Sequence, residues 1–182
     1  MRIPQWSAQS HPLPDDLLQA VLERRQGHLH ALDYALLWSE PVARGWTVHL
    51  KNIRKGLSVP AKWTELGICT IALLTKATYE FHHHAPDFLA AGGTQAELDL
   101  LQNWMSGDPR AAFSEPGLGP VEYDVIRYAV AMTLDVQVPD DIFNAMQAHV
   151  STTGMVELTA SIATYNMVSR FLVALDVTPD HS

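Results

Sequence analysis

Two residues one helical turn apart, Glu80 and His84, offer the clearest chemistry in this sequence. They lie in a six-residue cluster, YEFHHH, at positions 79–84. Residues four apart share one face of a helix, so the carboxyl group and the imidazole are predicted to be neighbours. A carboxylate beside an imidazole orients the ring and stabilises its protonated form, which lets the pair accept or donate a proton near neutral pH. The pattern therefore predicts acid–base chemistry.

The three consecutive histidines cannot all serve one site. Neighbouring side chains on a helix point about 100° apart, so His82, His83 and His84 face different directions. We expect His84 to act, because it shares a face with Glu80. The substrate contacts that we predict are Lys76, Tyr79 and His83.

A second carboxylate, Glu65, precedes a long apolar run at positions 66–74. Two interpretations of Glu65 stay open: a member of the catalytic group, or an acidic residue that stabilises the positive end of a helix. Within the apolar run lies Cys69, the single cysteine of the chain. One cysteine excludes an intramolecular disulfide, and its apolar surroundings predict a buried, unreactive thiol.

A metal site is the other chemistry that histidines and carboxylates suggest. Glu80 and His84 could supply two ligands, and His30 or His49 a third, as a catalytic zinc would require. No HExxH motif and no second clear pair is present, however. We therefore predict no metal site and no other cofactor.

The composition limits the fold and the partners. A chain of 182 residues is long enough for one domain with a hydrophobic core, and its hydrophobic fraction of 47% is typical of a globular protein. The net charge of −8 and the lack of a long basic run disfavour nucleic acids and anionic membrane surfaces as partners. The N-terminus lacks an apolar signal core, and no uninterrupted apolar stretch reaches spanning length, so we expect a cytoplasmic protein.

Apolar residues recur at helical spacing along most of the chain, and no segment alternates as a strand would. We predict an irregular N-terminal arm over 1–13 and one all-α domain of about eight helices over 14–177. A kink or short break is expected at Thr75–Lys76, with Thr75 or Thr78 as a possible cap. Glu40–Pro41 is expected to separate two helices, Thr94 and Glu97 have the spacing of a capping box, and 107–120 is the longest irregular connection. The helical segments are predicted near 14–27, 28–39, 42–55, 60–74, 79–91, 95–106, 121–136, 140–150 and 152–177.

The spacing of the polar residues resembles a known signature. Glu65, position 77, position 80 and His84 are spaced like E-x11-C-x2-C-x3-H of the alkylhydroperoxidase D-like proteins, but Ala77 and Glu80 replace both cysteines. The sequence YEFHHH resembles instead the Y-E-W-x-x-H form of the carboxymuconolactone decarboxylase branch of that superfamily. The segments 35–41, 90–94 and 157–171 also resemble this branch.

The resemblance implies a helical protomer that assembles into an obligate homo-oligomer, a dimer, trimer or hexamer. It also implies a cavity near a subunit interface, lined by Glu65, Glu80 and His84 as catalytic residues. The thiol chemistry of the redox relatives has no nucleophile here. We therefore expect a cofactor-independent lyase, decarboxylase-like, acting on a small carboxylated or carbonyl compound.

Two alternatives to this lyase stay open. The first is a peroxidase-like redox protein, which the missing cysteine pair disfavours. The second is an oligomer that binds a small ligand without catalysis. In the lyase scheme His84 transfers the proton, Glu80 orients the ring or shares its proton, Glu65 gives support, and Lys76 attracts an anionic substrate.

Overall fold

The computed structural model describes residues 1–111 and 117–179, and the regular elements within these ranges are nine α-helices. The all-α prediction is confirmed. The helices are α1 (Asp15–Arg24), α2 (Ala31–Leu36), α3 (Glu40–Arg54), α4 (Ala61–Thr75), α5 (Thr78–Ala90), α6 (Gln95–Ser106), α7 (Pro120–Leu134), α8 (Asp140–Gln147) and α9 (Thr152–Leu175). The long connection predicted over 107–120 lies partly outside the described residues.

Two compact units can be distinguished in the chain. Among the described residues, one comprises 1–56 and 171–179, and the other lies within 57–170. Every residue predicted to belong to the site lies in the second unit. The prediction of a single domain over 14–177 stays a prediction.

In the first unit, α1 and α2 pack against α3. Asp33 of α2 is fully buried and is held by Arg24 and Arg25, with N–O distances of 2.7 and 2.8 Å. The same carboxylate accepts a hydrogen bond from the backbone N–H of His30 and so caps the first turn of α2. This cap explains why α2 starts at Ala31, three residues later than predicted.

The start of α3 also differs from its prediction. Glu40–Pro41 was expected to separate two helices, but α3 begins at Glu40 and contains Pro41 in its first turn. Proline is tolerated there because the first-turn N–H groups have no partner within the helix.

The second unit is built around α4. All residues from Leu66 to Ala72 are buried, and α4 packs against α5, α6 and α7. A helix that is apolar all round is expected to be buried on all sides. Helices of the same chain provide this burial, so no neighbouring subunit is needed to cover Leu66–Ala72.

A tight turn joins α4 to α5. Lys76 adopts a left-handed conformation with φ 59°, and the N–H of Ala77 donates to the carbonyl of Ala72 at 2.9 Å. This geometry closes α4 as a C-terminal cap does. The predicted break at Thr75–Lys76 is therefore confirmed, but Ala77 precedes α5 and no side chain caps that helix. Neither threonine is its cap, because the Thr75 hydroxyl bonds instead to the carbonyl of Ile71.

The end of α5 requires its two glycines. Gly92 has φ +95°, a conformation that other residues adopt at a cost. A Cβ atom at Gly93 would overlap the ring of the buried Phe88. The predicted capping box of α6 then follows, with Thr94 and Glu97 bonded to each other's backbone N–H groups.

Helix α9 forms part of the core of the second unit. Gly67 of α4 faces α9, and an added Cβ there would lie in van der Waals contact with Ile162, at 3.4 Å. Asn166 donates to the hydroxyl of Thr133 on α7 at 3.0 Å, and Tyr128 of α7 is hydrogen-bonded to Thr159 at 2.8 Å.

By length and composition alone, α9 is the one helix of the described residues that could cross a membrane, yet half of its most apolar window is buried. A core helix passes the same test, and the packing of α9 against α4 and α7 supports that interpretation.

Candidate active site

The imidazole of His84 is held by Glu65. Nδ1 of the ring lies 2.6 Å from Oε2 of the carboxyl group, and both side chains are largely shielded from solvent. Glu65 lies eleven positions before Lys76, and His84 lies eight positions after it. The helical hairpin formed by α4 and α5 therefore places the two side chains next to each other. An ionised carboxylate accepts a hydrogen bond from Nδ1–H, which leaves the lone pair on Nε2. The pair therefore presents an oriented imidazole that can take up or release a proton.

Tyr165 of α9 fixes the other side of the ring. Its aromatic ring meets that of His84 edge to face, with centroids 4.8 Å apart and an interplanar angle of 84°. Tyr165 is itself buried. Edge-to-face pairs stabilise one relative orientation of two rings. The imidazole is thus positioned by three helices, α4, α5 and α9.

Glu80 has an environment unlike that of Glu65. Its side chain is 1% exposed, and both carboxyl oxygens lack a hydrogen-bond partner among the described residues. Burial raises the pKa of Glu80 well above its ordinary value, because the charged form loses its hydration. Glu80 is therefore predisposed to hold a proton, whereas Glu65 is hydrogen-bonded to His84.

The carboxyl group that contacts His84 is that of Glu65 and not that of Glu80. Glu80 was expected to orient His84 from one turn before it on the same helix. The observed contact to His84 Nδ1 comes from Glu65, nineteen residues earlier. Sequence spacing along α5 could place Glu80 near His84, but it could not show which oxygen reaches the ring nitrogen.

Cys69 is fully buried, one turn after Glu65 on α4. Burial raises the pKa of its thiol strongly, and the nearby carboxyl groups of Glu65, Glu80 and Asp87 raise it further. A thiolate is the reactive form of cysteine, and this environment disfavours it. These observations support the predicted unreactive thiol.

The predicted substrate contacts have different locations. Tyr79 is buried and lies against His83, with ring centroids 4.4 Å apart. Lys76 is exposed in the hairpin turn. It lies eleven residues from Glu65, about 16 Å along the helix axis. The structure thus brings Glu65 and His84 together, but it places Lys76 at the opposite end of α4. The substrate-binding role of all three residues stays a prediction.

Three further residues gain importance from the structure. Tyr165 contacts His84, whereas the sequence indicated it only as part of the segment 157–171 that resembles the carboxymuconolactone decarboxylase branch. Ser161, one turn earlier on α9, has a buried hydroxyl without a hydrogen-bond partner among the described residues. Asp87, one turn after His84, is accessible to solvent. Possible ligand atoms of Asp87, His84 and Glu65 lie within 4.8 Å of one another.

Solved structures share this fold over nearly the whole chain. A peroxidase-related protein from Ralstonia eutropha with an alkylhydroperoxidase AhpD core has a TM-score of 0.79 at 16% identity, covering 98% of this chain and 92% of its own. A peroxidase-related protein from Silicibacter has a TM-score of 0.75 at 14% identity, covering 99% of this chain and 91% of its own.

A third similar structure is a cysteine-to-alanine variant of the debrominase Bmp8 in complex with 2,3,4-tribromopyrrole. Its TM-score is 0.75 at 13% identity, and the match covers 99% of this chain and 92% of the debrominase. No family model matches the sequence, and no curated protein does. The chain has the alkylhydroperoxidase D-like fold. Identities this low establish the fold alone, and chemistry has to be argued from the site.

Proposed function

We propose that this protein is a cofactor-independent acid–base enzyme of the carboxymuconolactone decarboxylase-like branch. The observation that carries the proposal is the contact of 2.6 Å between His84 Nδ1 and Glu65 Oε2, one helical turn from the buried Glu80. An imidazole held by a carboxylate is a common means of proton transfer, and a buried neutral carboxyl group can donate a hydrogen bond to a reacting oxygen.

Each of the three residues has a distinct role in this scheme. Glu65 accepts the hydrogen bond from Nδ1–H and stabilises the imidazolium form of His84. His84 transfers the proton through Nε2. Glu80, in its neutral form, donates a hydrogen bond to a carbonyl oxygen of the substrate. Glu80 is buried without a partner among the described residues, and Glu65 contacts an imidazole. These different environments support Glu80 as the hydrogen-bond donor and Glu65 as the hydrogen-bond acceptor.

The substrate class is a small carbonyl compound, including one that carries a carboxyl group. In a decarboxylation, the bond between the carboxyl carbon and its neighbour breaks, and its electron pair moves into the carbonyl group to form an enolate. The carboxyl carbon leaves as CO₂. Glu80 stabilises the enolate oxygen by its hydrogen bond, and the imidazolium of His84 protonates the carbon. In an isomerisation, His84 removes a proton beside the carbonyl group and returns it to another atom.

The redox alternative depends on the one cysteine. Residues 77 and 80 hold no sulfur, and Cys69 is buried with its pKa raised. An alkylhydroperoxidase reaction through a thiolate would have to use this residue. The structure favours proton transfer over thiol chemistry for this reason.

A pair of variants separates the two mechanisms. The substrate for this test is the compound that the wild-type protein converts in a panel of β-keto acids and lactones. We expect Cys69→Ser to convert it at the wild-type rate when EDTA is present. Glu65→Gln should lower kcat by about 10²-fold, because an amide stabilises the imidazolium less than a carboxylate does. Loss of turnover in Cys69→Ser would overturn the acid–base assignment, and so would wild-type kcat in Glu65→Gln.

A homo-oligomer and a cytoplasmic location belong to the same proposal. The homo-oligomer rests on the resemblance to the carboxymuconolactone decarboxylase branch. Exposed apolar residues on α9, among them Val156 and Met167, support assembly through this helix. Light scattering of the purified protein measures its mass directly.

A further inference from the structure

We propose that Glu65, His84 and Asp87 form a binding site for a divalent transition-metal cation such as Zn²⁺. One donor atom from each residue lies within 4.8 Å of the other two. One imidazole nitrogen and two carboxylate oxygens form a donor set that binds ions of the zinc and manganese class. The site differs from the one considered from sequence, because it uses Glu65 and Asp87 in place of Glu80.

The backbone places the three donors on two adjoining helices. His84 and Asp87 are three residues apart on α5, and residues at this spacing share a face. Glu65 reaches them from α4, as its contact of 2.6 Å with His84 shows. The hairpin is well packed, so the Cα positions of the three ligands are fixed before a cation arrives.

Small side-chain movements complete the coordination geometry. Bond lengths near 2.1 Å place tetrahedral ligand atoms about 3.4 Å apart. The contact between Glu65 and His84 would open slightly, and Asp87 would approach by at most about 1.4 Å. Glu65 is 12% exposed and Asp87 is accessible to solvent, so a hydrated cation can reach both carboxyl groups. Water would occupy the remaining coordination positions.

Charge also favours a cation here. Glu65 and Asp87 together supply two negative charges beside the imidazole, in a chain of net charge −8. A cation on Nδ1 takes the place of the proton that His84 shares with Glu65, and the other ring nitrogen then carries the hydrogen. The metal-bound form and the proton-transferring form therefore exclude each other.

Calorimetric titration with ZnCl₂ tests the site without any substrate. The intact protein, treated with EDTA and dialysed, should bind one Zn²⁺ per chain. Asp87→Ala should weaken this binding by at least about tenfold. Removing a group that only hydrogen-bonds to a metal ligand typically weakens binding by about tenfold or more, and Asp87 is proposed as a direct ligand. His84→Gln should weaken the binding in the same way. Circular dichroism checks that each variant is folded.

Asp99→Ala is the matched control. Asp99 is an exposed aspartate on α6, bonded to Gln95, and its removal changes the net charge equally. We expect this variant to bind Zn²⁺ as the wild type does. Absence of saturable binding by the wild type would overturn the proposal, as would equal affinity of Asp87→Ala and wild type or equal weakening in Asp99→Ala. Turnover does not enter the measurement, so failure of the acid–base function is recognised separately.

Discussion

His84→Gln should reduce turnover by about 10²- to 10⁴-fold, the usual contribution of a positioned general acid or base. Glutamine can still donate a hydrogen bond to Glu65, so the packing between α4 and α5 is kept. Its amide cannot take up or release a proton at neutral pH, and the proton-transfer step is lost. The measurement is kcat, with EDTA present, on the carbonyl compound that the wild-type protein converts. Light scattering verifies that the assembly state is unchanged.

His82→Gln is the control for this substitution. His82 lies two residues earlier on α5, and its side chain is exposed. The same chemical change at this position should leave kcat within about twofold, since exposed positions away from a site tolerate substitution. If His84→Gln and His82→Gln both kept wild-type kcat, the assignment of His84 would be wrong.

Glu80→Gln should change how stability depends on pH. Glu80 has a raised pKa in the folded protein, whereas in the unfolded chain it titrates near 4.5. Between these two pKa values the folded state holds the proton and the unfolded state does not. Wild-type stability therefore falls as pH rises above the unfolded pKa, by up to about 1.4 kcal/mol per pH unit, until the folded pKa is reached. Glu80→Gln has no carboxyl group at this position, so its free energy of unfolding does not fall with pH for this reason.

Urea unfolding of both proteins at several pH values from 5 to 8 measures the effect. The free energy of unfolding of Glu80→Gln, minus that of wild type, should increase with pH. A constant offset from the buried amide does not obscure this slope. Glu23→Gln, the same chemical change at an exposed position on α1, is the control and should not reproduce this slope. Parallel pH profiles for Glu80→Gln and wild type would contradict the buried neutral carboxyl group.

Local sequence signals predicted most helices well, because each acts within a few residues. Helix α6 begins and ends where the capping box and the apolar spacing predict, at Gln95 and Ser106. The apolar run after Glu65 predicted a helix buried on all sides, and α4 is one. Helix α2 was less predictable, since its start depends on a buried carboxylate, Asp33, which also binds two arginines.

The candidate site was predictable in part. Spacing on one helix indicated His84, and the resemblance indicated Glu65. The partner of Nδ1 could not be predicted, because it depends on how α5 packs against α4 and not on periodicity within α5. The contact with Tyr165 arises in the same way, from an element eighty-one residues further along the chain. Sequence patterns carry little information on contacts at such separations.

The hairpin of α4 and α5 has a consequence for how the site forms during folding. Glu65 and His84 are joined by only eighteen intervening residues, and the entropy lost on closing a loop of this length is small. Contacts between residues close in sequence tend to form early. The proton-transfer pair is therefore expected to assemble together with the hairpin itself, ahead of the docking of α9. Sequence changes in α9 could then alter what surrounds the imidazole, and so the choice of substrate, while leaving its partner in place.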